Sequence, residues 1–415
     1  MAVIYSMQTA IATIVVFGLI VFIHELGHFL VAKKVGILVR EFAIGFGPKL
    51  VSFKKGETVY SIRVLPLGGF VRMAGEDPET YDMKNGVKVG LTLDADLKVV
   101  KVDLDPHERY EIMGKIEAFD IEKEMFIRIT SDTRSATYYL REDALIVKGK
   151  EEMQVAPLDR KFNGKTVGQR MAAISAGPIM NFLLAGLLFA AVFAITGMPT
   201  DSNIIGEVVP GSPAAIAGIE AGDQIVKIEG TSIQTWQELV TQISSHANQA
   251  INLEIQRGGQ ILPMTLTPEE QDGSGKIGIM QMTEDVGWMS IPYGFQRTYE
   301  MAGLLLTSLG EIVTGRVEAD LAGPVGIVQM IGVQANAGIE RLINFAGFLS
   351  LNLGIINLLP FPALDGGRLV FLALEGLRGK PVDPNKEGLV HFVGFALLML
   401  LIVIVTYHDV VRIFD

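Results

Sequence analysis

The chain has 415 residues, 49% of them hydrophobic, with a mean hydropathy of +0.37 and a formal net charge of −11. That is too apolar for an ordinary soluble enzyme and suits membrane spans joined to polar segments. The absence of cysteine excludes disulfides, zinc ribbons and thiol catalysis, and a negative charge with no basic tract argues against a nucleic-acid partner.

Residues 1–35 read as a first membrane span. The first ten residues carry no Lys or Arg, so a retained span is expected rather than a cleaved leader. From Ile11 to Ile23 there is no charge, and then comes His24-Glu25-Leu26-Gly27-His28. On a helix, His24 and His28 share one face and can converge on a single ion, with Glu25 offset between them as the general base that activates water in zinc hydrolases. A carboxylate and two histidines at that depth are expensive and so expected to be functional. The plain alternative, polar residues capping a short span, does not call for this spacing.

Three more stretches can cross a bilayer, in segments 166–198, 337–368 and 386–412. The second contains Gly177-Pro178 and Asn181, which implies a kink and close packing, with Asn181 open to a structural or a direct role. Residues 33–170 hold 24 Lys and Arg, and none follows Arg170 until Lys227. The loop between the first two spans (33–170) is therefore expected in the cytoplasm, and the segment after the second span, with both termini, outside.

Residues 36–73 read as a membrane-associated β region of three short strands (Val39–Ile44, Lys49–Phe53, Val59–Val64), with turns at Gly45–Pro48 and Lys54–Glu57 and a break at Leu65–Phe70. Such a sheet can add a substrate strand at its edge or be an ordinary surface sheet, and both readings stand. Residues 74–165 form a cytoplasmic β-rich insertion, with alternation at Met125–Thr130 and Ala136–Leu140 and an exposed His107. Residues 201–290 carry strand, helix and hairpin signals, and the run Gly211-Ser212-Pro213-Ala214-Ala215 is similar to bacterial PDZ domains, which capture peptide ends or simply shield a neighbour. Residues 294–336 hold an amphipathic segment (Phe295–Val313) and a Gly-Pro loop (Leu321–Gly326), expected at the membrane surface.

The third span ends in Asn357-Leu358-Leu359-Pro360-Phe361-Pro362-Ala363-Leu364-Asp365-Gly366-Gly367. Its prolines and glycine pair are expected to end the helix, and irregular backbone at that depth is tolerated only beside protein or a cavity. Asp365 is a candidate third metal ligand, leaving a fourth position for water. His391 and His408 bracket the last span and read as interfacial.

His24-Glu25-x-x-His28, followed in order by Asn357-x-x-Pro360-x-Pro362-x-Leu364-Asp365-Gly366, resembles the site-2 protease family of intramembrane zinc metalloproteases. The likeness covers nearly the whole chain and favours the single-PDZ form. It implies a polytopic α-helical membrane protein of about four transmembrane helices, with a membrane-associated β-hairpin or sheet and an inserted α+β PDZ domain. It implies Zn2+ held by His24, His28 and Asp365, Glu25 as catalytic base, a supporting catalytic role for Asn357, and Gly177 and Asn181 as a Gly-x-x-x-Asn element. The implied setting is the bacterial cytoplasmic membrane, with the PDZ outside and 33–170 inside. The implied partners are lipid, transmembrane-helix substrates (anti-sigma factors or remnant signal peptides) and, through the PDZ, peptide ends. Residues alone leave two rivals open: a receptor or scaffold with a vestigial metal site, against which the intact Glu25 argues, and a metal transporter, which lacks an inverted repeat.

Overall fold

The structure, a computed structural model, describes residues 7–76, 83–107, 110–131, 134–149, 151–271, 273–317 and 322–414. Leu321, where the expected Gly-Pro loop begins, lies outside them. The chain divides into two units, residues 1–185 with 300–415, and residues 186–299.

In the first unit, helix α1 (Met7–Lys34) is apolar on every side, yet it buries one stripe at helical spacing: Thr9, Ala12, Val16, Ile20, His24, His28 and Ala32. Ile11, Ile14, Val15, Leu19 and Leu30 stay exposed on the remaining surface, as lipid contact requires. The two histidines therefore lie on the packed face. Among the described residues, four helices are long and apolar enough to cross a membrane: α1, α2 (Val167–Thr196), α7 (Ile339–Leu358) and α9 (Pro384–Phe414). Helix α6 (Pro324–Ala337) packs against α1, α7 and α9, and Asp409 of α9 accepts the Gly323 and Gly326 N–H groups at its start (3.1 and 2.8 Å). A carboxylate there meets the positive end of the helix dipole.

The β region differs from the three strands read in the sequence. It is two long strands, β1 (Val39–Lys55) and β2 (Thr58–Met73). Residues 41–44 lie between 59–62 on one side and 69–72 on the other, and 49–55 fold back onto 58–63. The expected turn at Gly45–Pro48 is a bend within β1, because Gly45 and Gly47 (φ +87° and +85°) redirect the strand while pairing continues through Phe46↔Leu65 and Lys49↔Arg63. The expected break at 65–70 is likewise strand, bent at Gly68 (φ +87°).

Strands β3 (Lys88–Leu93), β4 (Val99–Asp103), β5 (Ile112–Asp120), β6 (Phe126–Ser131), β7 (Arg134–Lys148) and β8 (Glu151–Gln154) run in the order β4-β3-β5-β6-β7-β8. A parallel pairing of β4 with β7 joins the two sides of this sheet into a closed barrel. Alternation builds its interior: Ile127 and Ile129 of β6 and Ile116 of β5 point in beside Val89, Leu91, Val102 and Ile146, each such side chain contributing about 1.5–3 kcal/mol of burial. The barrel's chain ends meet at one place, where Ala74 N–H donates to Leu38 O, Phe162 N–H to Ala74 O and Leu38 N–H to Arg160 O.

The second unit holds a four-stranded sheet that includes Gln224–Ile228, Ile251–Arg257 and Gln260–Leu266. Helices α3 (Pro213–Ile216) and α4 (Trp236–Ser244) pack with it over Ile225, Leu239, Leu253 and Ile255. Thr235 caps α4 in a reciprocal box with Glu238. A groove beside α4 is lined by residues 209–213 and 274–279. Burial alone would raise the Asp223 carboxyl, but Arg257 and the Glu220 N–H outweigh it and hold Asp223 below the usual range. Helix α5 (Ser290–Val313) exposes Ile291, Leu304 and Leu306.

Candidate metal centre

Helices α1 and α2 cross on glycines. A β-carbon at Gly27 would collide with the Ala176 carbonyl, and one at Gly177 with both imidazoles, His28 foremost. Only glycine lets the two backbones approach this closely. The crossing delivers two polar groups of α2 to the histidines. His28 Nδ1 donates to the Ala173 carbonyl (2.9 Å), and His24 Nδ1 faces the carboxamide of the fully buried Asn181 (3.2 Å). Asn181 Oδ1 has no partner among the described residues while its nitrogen faces Nδ1. Turning the amide over places Oδ1 against the ring, where it accepts the His24 Nδ1–H that a ligand using Nε2 carries. Both rings then carry hydrogen on Nδ1 and present a bare Nε2 to the interior.

Asp365 completes the set. Helix α7 ends at Leu358, Leu359 is extended ahead of Pro360, and the chain turns into α8 (Asp365–Arg378) with Asp365 in its first turn. The glycine pair does not end a helix, as the sequence suggested. Gly366 and Gly367 open α8, where β-carbons would overlap the Leu358, Leu359 and Phe361 carbonyls. Asp365 Oδ2 lies 3.4 Å from each Nε2, and the two Nε2 atoms lie 3.2 Å apart.

Three electron-rich atoms at this spacing with no proton between them repel one another unless a cation lies among them. Asp365 Oδ2 is buried with no hydrogen-bond donor among the described residues, as a ligand atom would be. Tetrahedral zinc with bonds of about 2.0–2.1 Å needs ligand edges of about 3.3–3.4 Å, which this triangle supplies. The donor set fits zinc, and the three residues form a group able to hold an ion.

The triangle opens onto a cavity of about 390 Å³ lined by His24, Glu25, His28, residues 69–73, Glu76, Ile174, Ala363, Asp365 and Arg368. Glu25 is 8% exposed and shares this wall with the histidines. Gly69 brings β2 against it, since a β-carbon there would overlap Glu25 Cγ and the Ala43 carbonyl. Residues 69–72, at the end of the β region read from sequence, therefore flank the site, and among the described residues no strand pairs with their outer edge. Glu41, behind them, is pushed up by burial but held below the usual range by Arg63, Ser61 and Lys49. Arg63 lies over the Phe70 ring, 4.9 Å from its centroid. An Arg368–Glu76 ion pair stands where this cavity adjoins a second, of about 700 Å³, lined by Arg170, Glu375, Glu387 and His391.

Asn357, on the last turn of α7, is half-buried and is not among the residues lining the site cavity. Sequence reasoning missed the Ala173 carbonyl, which carries no side-chain signal, and left the task of Asn181 open. His107 is exposed and pairs with Asp105, and His246 is bound to its own helix through the Gln242 carbonyl.

The profile of peptidase family M50 matches residues 12–401. The chain is 46% identical over 417 residues to the zinc metalloprotease RasP of Geobacillus kaustophilus, covering 99% of each. It is 43% identical over 420 residues to the regulator of sigma-W protease RasP of Bacillus subtilis, covering 98% of this chain and 99% of that one. A solved PDZ domain of the SdrC-like protein from Listeria monocytogenes aligns with 20% of this chain and 88% of its own, at 24% identity and a TM-score of 0.18.

Proposed function

Because the chain belongs to peptidase family M50, the site-2 proteases, and is a zinc metalloprotease of the membrane, we propose that it hydrolyses peptide bonds within or beside the transmembrane helices of single-pass proteins. Substrates of the anti-sigma-factor or remnant-signal-peptide type fit this reading, as does a relative that is a regulator of sigma-W. The observation that carries it is the triangle of His24 Nε2, His28 Nε2 and Asp365 Oδ2, set beside Glu25 and the open edge of residues 69–72.

His24, His28 and Asp365 would hold zinc, which when bound supplies the Lewis acidity that polarises a carbonyl and acidifies water. Glu25 takes the proton from the attacking water and returns it to the leaving amine. A helical substrate hides its peptide bonds, so it must unwind first. The 69–72 edge offers main-chain hydrogen bonds to such an extended segment and lays it along the cavity beside Glu25. We assign Asn357 to the substrate backbone, as a positioned donor. The barrel is assigned to the cytoplasm and the PDZ domain to the outer face, where its groove beside α4 receives peptide ends.

The test is co-expression with a single-pass model substrate, comparing the wild type with Glu25→Gln. Cleavage by the wild type alone, abolished by a zinc chelator, is expected. Equal cleavage by both would remove Glu25 from the chemistry.

A further inference from the structure

Ala363 has φ +77°. For an alanine that conformation costs roughly 1–2 kcal/mol, and it persists only where the surroundings impose it. It falls two residues before Asp365, at the point where the chain turns from the extended Leu359 into α8. Two contacts from α9 bear on this turn. The Ala363 N–H donates to His391 Nδ1 at 2.9 Å. One turn further along, Gly394 sits so close to Pro362 that a β-carbon would overlap its side chain and carbonyl.

The His391 ring packs among neighbours on α9 and α8. Because Nδ1 accepts, the ring hydrogen is on Nε2, which lies 3.9 Å from Glu387 Oε1 one turn back on the helix. Phe371 of α8 covers the imidazole at 5.4 Å between centroids. Helix α9 is otherwise the most lightly packed span, 6% buried over its most apolar window against 33–39% for the other three. Against that background it has two specific attachments, Asp409 at the start of α6 and the docking at residues 362–363.

We propose that His391 is a positioning residue for the metal centre: from the last span it holds Ala363 in its left-handed conformation and so aims Asp365 at His24 and His28. This rests on the metal-centre assignment above and adds a residue outside its two motifs. Without an acceptor at 391, Ala363 relaxes toward ordinary backbone angles, and Asp365 Oδ2 withdraws from the imidazoles.

The experiment uses the full chain extracted from membranes, as wild type, His391→Phe, His391→Gln and the double variant His391→Phe with Ala363→Gly. Three quantities are read: zinc retained against a competing chelator, kcat and KM on a single-pass substrate, and the melting temperature. His391→Phe is expected to weaken zinc retention about 10- to 100-fold and to lower kcat with little change in KM. His391→Gln restores both, since its amide oxygen can accept. The double variant also restores both, because glycine adopts φ +77° without strain. Zinc retention within about twofold of wild type in His391→Phe would overturn the proposal. So would a loss matched by a fallen melting temperature and rescued by neither second change, which would mark His391 as general packing. A wild type that binds no zinc would overturn the metal centre itself and this inference with it.

Discussion

Each histidine has two ring nitrogens, and the chemistry of this site depends on which one is left bare. The Ala173 carbonyl and the Asn181 amide settle it by occupying Nδ1 on His28 and His24. Replacing Asn181 with leucine, similar in volume, leaves a buried Nδ1–H without an acceptor. We expect zinc affinity to fall about 10- to 100-fold, with the helices still packed, as read by chelator competition and by thermal unfolding. At this scale the sequence was legible where function demands a spacing. His24, Glu25 and His28 announce themselves by four-residue periodicity in an apolar helix, and Asp365 by being a carboxylate where a third ligand was needed. Backbone angles and carbonyls leave no such trace. Nothing about an alanine signals φ +77°, and so His391, its partner, read as an interfacial residue.

Among elements, the β region was the least legible. Glycine followed by proline at 47–48 signals a turn, yet in β1 the neighbouring strand supplies pairing on both sides of the bend, and the ladder outvotes the local preference. The loop between β1 and β2 carries Glu57, which accepts from Lys33 at the end of α1 (2.5 Å) and from Arg160 beyond the barrel (2.7 Å). Burial pushes the Glu57 carboxyl up, but Lys33 and Arg160 outweigh it and hold it below its usual value. A depressed folded-state pKa means the clasp stabilises the fold above the unfolded value of 4.5 and is lost as pH falls through the folded one. Glu57→Gln should therefore cost on the order of 1 kcal/mol at neutral pH and nothing once wild-type Glu57 is itself protonated. Melting curves of both proteins measured from neutral to acid pH should converge. A gap that stays constant down to strongly acid pH would mean that the charge contributes nothing.

At the scale of the whole chain, helices apolar enough to cross a membrane alternate with β-rich segments, a mixture that composition foretold better than any single motif. What composition could not show is closure: the parallel β4–β7 pairing joins residues about forty apart, beyond the reach of local pattern. The absence of cysteine makes the orientation simple to test, because any cysteine introduced is the only one present. With Gln260→Cys in the hairpin of residues 251–266 and Asp96→Cys in the barrel, a membrane-impermeant maleimide added to intact cells should label the first and reach the second only after permeabilisation. The opposite pattern would invert the assigned topology. The junction at Leu38, Ala74 and Phe162 has a further consequence for the history of such a chain. A module whose two ends meet across one hydrogen bond can be acquired, lengthened or discarded in a single genetic event without rethreading the helices around it. Changes in the length of this protein over evolutionary time should therefore collect between residues 74 and 162, leaving the catalytic architecture untouched.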